Sequence, residues 1–513
     1  MHADQAYLFR HALVRDAAYE LQPPTDRARL HALALQLIEL LHDGPAPDPG
    51  PPAFGGLNPP AAHATDAVSL DLALHAEMAA GADARYEQSA ALYLHRAAAL
   101  AHTNFRFREA AELWRRLAGR LTGVPRLAAI FRRGEAAQDA GLAVDASASF
   151  GDVLQAARDA ENPMVEGLAL SARATVMLAV GNAADAEPDM RRAIELLRDC
   201  NEPRALAKAV SNLANLLGRS GRIDESESAW GTALELLNAA GDVDATAAVL
   251  NNLAGLFNGR GEVARAEELY MRALEIHLEH GRPHSVALVR LNLANLYSHT
   301  GREEQAETIL REVLEVTRKV GNRRLEGAAR SNLAAVLANT GQYAEAETLL
   351  QQAIAIYREL ADPMMEAVAL AAMMSIYQNS RRYSMAQEVG TRALEISRKQ
   401  GVPATESVLL YNLASMAVDE KRYDEALGQF EQAIAIQRAI RRRESLGNTL
   451  CNYMHALLCV GRLDDARRAW LEGSSLLYEV GDTRALKQKV RTMEQLCAER
   501  GIQPFPVVSG TGD

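Results

Sequence analysis

From position 204 to 219, apolar or small residues fall at Val210, Leu213, Ala214 and Leu217. The spacing i, i+3, i+4, i+7 is one face of a helix. Gly221 follows, a residue that takes positive φ and closes a helix. A second helix is expected from about Asp224 to Ala239, with Ser226, Trp230, Ala233, Leu234 and Leu237 inward, ended by Gly241. The unit is helix, glycine turn, helix, glycine turn.

The unit recurs. Asn-Leu-Ala begins at Asn212, Asn252, Asn292, Asn332 and Asn412, and the turn glycine at Gly141, Gly181, Gly221, Gly261, Gly301, Gly341 and Gly461. Every step is 40 residues or a multiple of it. A fixed period in this range signals a solenoid. Ala214, Ala254, Ala294, Ala334 and Ala414 mark where the helices of a pair touch, since a methyl-sized side chain lets axes approach to roughly 8–10 Å. Phe150, Trp230, Tyr270, Phe430 and Trp470 fill the grooves between repeats. The fold class is all-α, a right-handed superhelical solenoid.

The unit resembles the tetratricopeptide repeat, through Leu213, Ala214, Leu217, Gly221, Ser226, Trp230 and Ala233. The family period is shorter, and Asn238 stands where its proline falls. The 40-residue version is similar to repeats of kinesin light chains and spindle-orientation adaptors, which share the Asn-Leu-Ala core. The resemblance implies a right-handed superhelix whose first helices line a concave face.

In order, residues 1–42 are helical but off-period. Phe9, Arg10, His11, Leu13, Val14, Arg15, Asp16, Ala18 and Tyr19 resemble the segment after the nucleotide-binding and winged-helix parts of signal-transduction ATPases with numerous domains. No GxxxxGK[ST] phosphate loop accompanies it. Residues 43–62 hold seven of the 18 prolines and read as an exposed, partly stiff spacer and domain boundary. Residues 63–123 are an irregular entry to the array. Nine repeats occupy 124–482, where Pro188 is expected to kink a second helix. Arg381 and Lys421 replace turn glycines, and five of 14 methionines sit in the seventh repeat as gap fillers. Residues 483–500 form a capping helix, and 501–513 a free tail.

Net charge is −11, which speaks against nucleic acid as the main ligand. No apolar run reaches 18 residues, so no membrane span is expected. The first residues have no apolar core of a secretion signal. The four cysteines are scattered and read as reduced thiols. A cytoplasmic protein without cofactor or metal is the expectation. His11 and His31 read as packed or surface residues, and no catalytic constellation is visible, so no enzyme is expected.

The family geometry points Asn212, Asn252, Asn292, Asn332 and Asn412 to the concave face, with Asn215 and Asn295 one turn on and Asn339 one further. A carboxamide donates and accepts, which suits an extended peptide backbone. The resemblance implies this use, while ties between neighbouring helices are the other reading. Arg290 and Arg330 share a phase and, with Arg318, Lys319, Arg323 and Arg324, form a basic zone. It would meet an acidic partner, or pair with nearby glutamates. The function expected is a scaffold or sensor module binding a protein or extended peptide. The alternative is a regulator fragment that changes shape on binding a ligand and acts with a separate ATPase or DNA-binding partner.

Overall fold

A computed structural model of the chain describes residues 19–55, 60–360, 362–440, 442–480 and 483–506, with no strand among them. The polypeptide divides into two compact units, residues 1–172 and 173–513.

In the second unit the expected period is realised as helix pairs. Pro203–Arg219 pairs with Ile223–Ala239, Val243–Gly259 with Val263–Glu279, and Pro283–His299 with Glu303–Val320. The pattern continues to Arg443–Cys459 with Leu463–Glu479. Thr483–Glu499 closes the array, burying Met493, Leu496 and Cys497. Prolines at Pro203, Pro283, Pro363 and Pro403 open first helices, where the missing N–H has no intrahelical partner to lose. The paired helices meet through Ala214, Ala254, Ala294, Ala334 and Ala414, all fully buried. Ser226 occupies the matching small position and donates to the Ala214 carbonyl at 2.7 Å.

The turn after each first helix requires a left-handed residue. Gly221 takes φ +77°, while Arg381 and Lys421 are forced to +58° and +60°. A side chain in that region costs about 1–2 kcal/mol, so these two turns carry strain that the glycine turns avoid. Helix Ala183–Arg198 runs through Pro188 as one element.

The first unit holds helices Pro24–Leu41, Ser69–Ala80, Glu87–Thr103, Phe107–Ala118, Gly123–Asp139 and Ala143–Asp159. Its proline-rich stretch is largely exposed, as expected of a spacer, but is anchored to the unit. Arg96, 1% exposed, reaches the carbonyl oxygens of Pro47 at 3.1 Å and Ala61 at 2.8 Å, and Asp66 at 2.7 Å. Ala46 N–H donates to the Tyr93 hydroxyl, and Phe54 packs edge-on to Phe131. A buried guanidinium needs acceptors, and the non-helical backbone supplies them. The expected free tail also packs at its start: Trp470 Nε1 donates to the Pro506 carbonyl at 2.9 Å. The Phe9–Ala18 part of the regulator-like motif and residues 507–513 lie outside the described residues.

Candidate peptide-binding face

Which side of the array is concave follows from helix spacing. Successive first helices approach one another directly from Pro203–Arg219 to Arg443–Cys459, and no two successive second helices come as close. The first helices therefore form the inner side of the curve. The array also returns on itself. A methyl placed at Gly181 would lie 3.8 Å from the Ala404 side chain. Arg219 is held below the usual arginine range by burial and by the charge of Arg442. Both pairs are 223 positions apart, so the second unit meets itself after between five and six repeats.

The solvent-facing stripe of each first helix has four positions, spaced i, i+4, i+7, i+11. In Val243–Gly259 these are Ala248, Asn252, Gly255 and Gly259, all exposed. The same phase brings Leu288, Asn292, Asn295 and His299, then Ala328, Asn332, Ala335 and Asn339. Next come Val368, Ala372, Ser375 and Asn379, then Val408, Asn412 and Ser415. All are at least partly exposed, and none is Asp, Glu, Lys or Arg, in a chain that is 24% charged. Asp419 ends the run.

The asparagines divide into two groups. Asn292 donates to Asn251 of the preceding repeat at 3.0 Å, and Asn251 reaches Asn252 at 3.4 Å. Asn452 donates to the Tyr411 hydroxyl at 2.8 Å and accepts from Lys489 of the capping helix at 2.6 Å. Burial holds the Lys489 ammonium below the usual lysine range. Asn212 also has a partner. Asn292, Asn251 and Asn452 thus tie helix to helix. Asn215, Asn295, Asn332, Asn339 and Asn412 make no side-chain hydrogen bond among the described residues, and stand half-exposed to exposed on the inner face. Their donors and acceptors are open to a ligand.

The two arginines sit elsewhere. Arg290 pairs with Glu312 of its own repeat's second helix at 3.2 Å. Arg330 is 6% exposed; its Nε donates to Gln352 at 3.0 Å, and its Nη1 lies 2.7 Å from Glu326 without hydrogen-bond alignment. Burial alone would raise the Glu326 carboxyl, but Arg330 and Arg323 hold it below the ordinary range. Arg318 reaches the same carboxylate at 3.3 Å, and Arg324 pairs with Asp362 at 3.2 Å. The arginines of the basic zone are thus all engaged by carboxylates of the chain.

A feature not anticipated lies at the first-to-second helix turns. Arg302 pairs with Glu267 of the preceding repeat at 3.0 Å, and the Tyr297 hydroxyl donates to the same carboxylate at 2.8 Å. Arg302 also stacks 4.0 Å over the Tyr297 ring. Eighty positions on, Arg382, Glu347 and Tyr377 repeat the arrangement at 2.7, 2.8 and 4.4 Å. Arg222 with Glu187 gives the same ion pair 80 positions earlier, at 2.8 Å. The sequence signal was a recurrence at twice the helix-pair period.

Among the described residues no three metal-ligating side chains cluster, and no helix is long and apolar enough to cross a membrane.

Known proteins share the repeat. A family model described as a MalT-like TPR region matches residues 167–364, and one described as soluble NSF attachment protein matches 293–494. No curated protein matches the chain in sequence. Solved structures similar to it include a Rap protein complexed with competence and sporulation factor, at 14% identity, covering 69% of this chain and 99% of that one, TM-score 0.49. Another is a signal transduction ATPase with numerous domains carrying a tetratricopeptide repeat sensor, from Pyrococcus horikoshii, at 14% identity, covering 84% and 70%, TM-score 0.44. A third is a putative kinesin light chain from Podospora anserina, at 20% identity, covering 37% and 95%, TM-score 0.32. With its helix pairs, small-residue contacts and turn glycines, the chain is an all-α solenoid of tetratricopeptide-like repeats, the fold of protein-interaction and sensor modules.

Proposed function

We propose that this chain is a protein-interaction module that takes an extended, weakly charged peptide segment of a partner along its inner face. One observation carries the reading: the uncharged stripe from Ala248 to Ser415, with open carboxamides at Asn295, Asn332, Asn339 and Asn412. A carboxamide can donate to a peptide carbonyl and accept from a peptide N–H. Gly255, Ala335, Ser375 and Ser415 between the asparagines leave room for a backbone to come close. Rungs on neighbouring first helices stand roughly 8–10 Å apart, and an extended chain advances about 3.3 Å per residue. One rung then serves about three peptide residues.

The test is selection of peptides from a random display library on the intact protein, then titration against Asn332→Ala/Asn412→Ala. The selected peptides are expected to be poor in charge, and the double variant to bind at least tenfold more weakly at unchanged helicity. Undiminished binding would refute the inner-face reading. The match to a MalT-like TPR region favours a second reading, a sensor module of a larger regulator. That role demands a change of shape on binding, which small-angle scattering with and without a selected peptide would detect.

A further inference from the structure

Helix Pro24–Leu41 buries Ala28, Ala32 and Leu35 against its own unit. Its other side is unusual. Leu30, Leu33, Leu37 and Leu40 are 51, 56, 57 and 77% exposed. Their 3-4-3 spacing is one straight seam down the helix, the a/d spacing by which helices pair. No other described helix exposes four leucines above half. A contiguous apolar face of this kind marks a surface that another molecule covers.

The flanking charges identify the occupant. Arg29 and Gln36, seven residues apart, run along one edge of the seam, and Asp43 stands just past its end. Neither Arg29 nor Asp43 has an ion pair or side-chain hydrogen bond among the described residues. If a second copy lies antiparallel, each Leu30 meets Leu40 of the other copy, and each Leu33 meets Leu37. Each Arg29 then falls beside the other copy's Asp43, while the two Gln36 side chains meet at the centre. A parallel pair would instead set each Arg29 beside Ala34 of the other copy, where no carboxylate waits. The seam is self-complementary in the one sense that a two-fold axis demands.

We propose that the chain forms a two-fold homodimer through antiparallel pairing of the Pro24–Leu41 helices, with the leucine seam as its core and Arg29–Asp43 pairs at its ends. This surface is independent of the inner face of the repeat array, so either proposal can fail without the other.

Sedimentation equilibrium of the full chain across the micromolar range provides the test. The intact protein is expected to show dimer mass. Leu33→Glu places a carboxylate at the centre of the seam and is expected to weaken association at least tenfold. Leu33 is already half-exposed, so the variant keeps its fold, which circular dichroism checks. Arg29→Glu is expected to weaken the dimer through repulsion from Asp43, and Arg29→Glu/Asp43→Arg to restore it. A monomer at every concentration overturns the proposal and leaves the seam to a different partner. A dimer unaffected by Leu33→Glu overturns it by moving the interface elsewhere. Failure of the charge exchange to rescue overturns the antiparallel pairing.

Discussion

The inner and outer sides of the repeat array come from the same helix pairs, yet they are built on opposite rules. The second helices face water with charge. In Val263–Glu279 the exposed positions include Arg265, Glu268, Arg272, Glu275 and Glu279. Many of these charges are engaged across repeats, as in Arg265–Glu227 at 3.2 Å, Arg311–Glu345 at 3.1 Å and Arg438–Glu472 at 2.7 Å. From Ala248 to Ser415 the first helices face water mainly with Asn, Ser, Ala and Gly, and Asn295, Asn332, Asn339 and Asn412 make no side-chain hydrogen bond among the described residues. Exposed ion pairs contribute roughly 0–1 kcal/mol each, so the outer pattern serves solubility and the angle between repeats more than stability. The inner pattern gives up even that. Asparagine inside a helix is mildly unfavourable, and its recurrence where it bonds to nothing fits a surface kept for a ligand.

Three experiments probe this contrast, in falling order of effect. Leu253, 8% exposed, lies next to Asn252 but points into the core. Leu253→Ala should cost about 2–5 kcal/mol through the cavity it leaves, while Asn252→Ala should cost a few tenths of that. Urea unfolding of both variants decides it; equal losses would make the inner asparagines structural. Arg330→Ala should cost about 2–3 kcal/mol, because it takes a partner from the buried Glu326. The same measurement reads it, and a loss near zero would return Arg330 to the ligand-facing group. Glu347→Ala removes the acceptor of both Arg382 and Tyr377 and should cost about 1 kcal/mol, mostly at low salt. Melting temperatures at low and high salt would show it, and a salt-independent loss would mean that packing rather than charge holds the turn.

The sequence makes the helix pairs legible because the period repeats the same physical demand many times. A glycine is favoured wherever φ turns positive, and a small residue wherever two axes meet. It makes the inner face legible as a phase, since Asn212 and its equivalents share one position. Which asparagines are open is not legible. Asn292 is tied down because the preceding repeat has Asn251 at the facing position, where other repeats have Ser211 or Ser331. Arg330 read as a surface residue, although its phase is apolar and buried at Val210, Leu250, Leu370 and Leu410. That periodicity, with Glu326 one turn before it, was the available signal. The anchoring of the proline-rich stretch was not legible because composition reports only that it is not helical. It cannot report that a distant Arg96 needs its carbonyl groups.

The Glu–Tyr–Arg turn has a further consequence. It appears at Tyr297 and again at Tyr377, but not at the intervening turn, where Val336, Leu337 and Gln342 leave nothing to pair. From Arg222 through Arg302 to Arg382 the ion pair therefore recurs at every second helix pair. Excising residues 298–377 would join Tyr297 to the segment that carries Arg382, with Glu267 still in place. The junction would be matched. Excising residues 298–337 would bring Gln342 to that place and leave Glu267 without its arginine. At Tyr297 the array can therefore be shortened cleanly by two repeats but not by one.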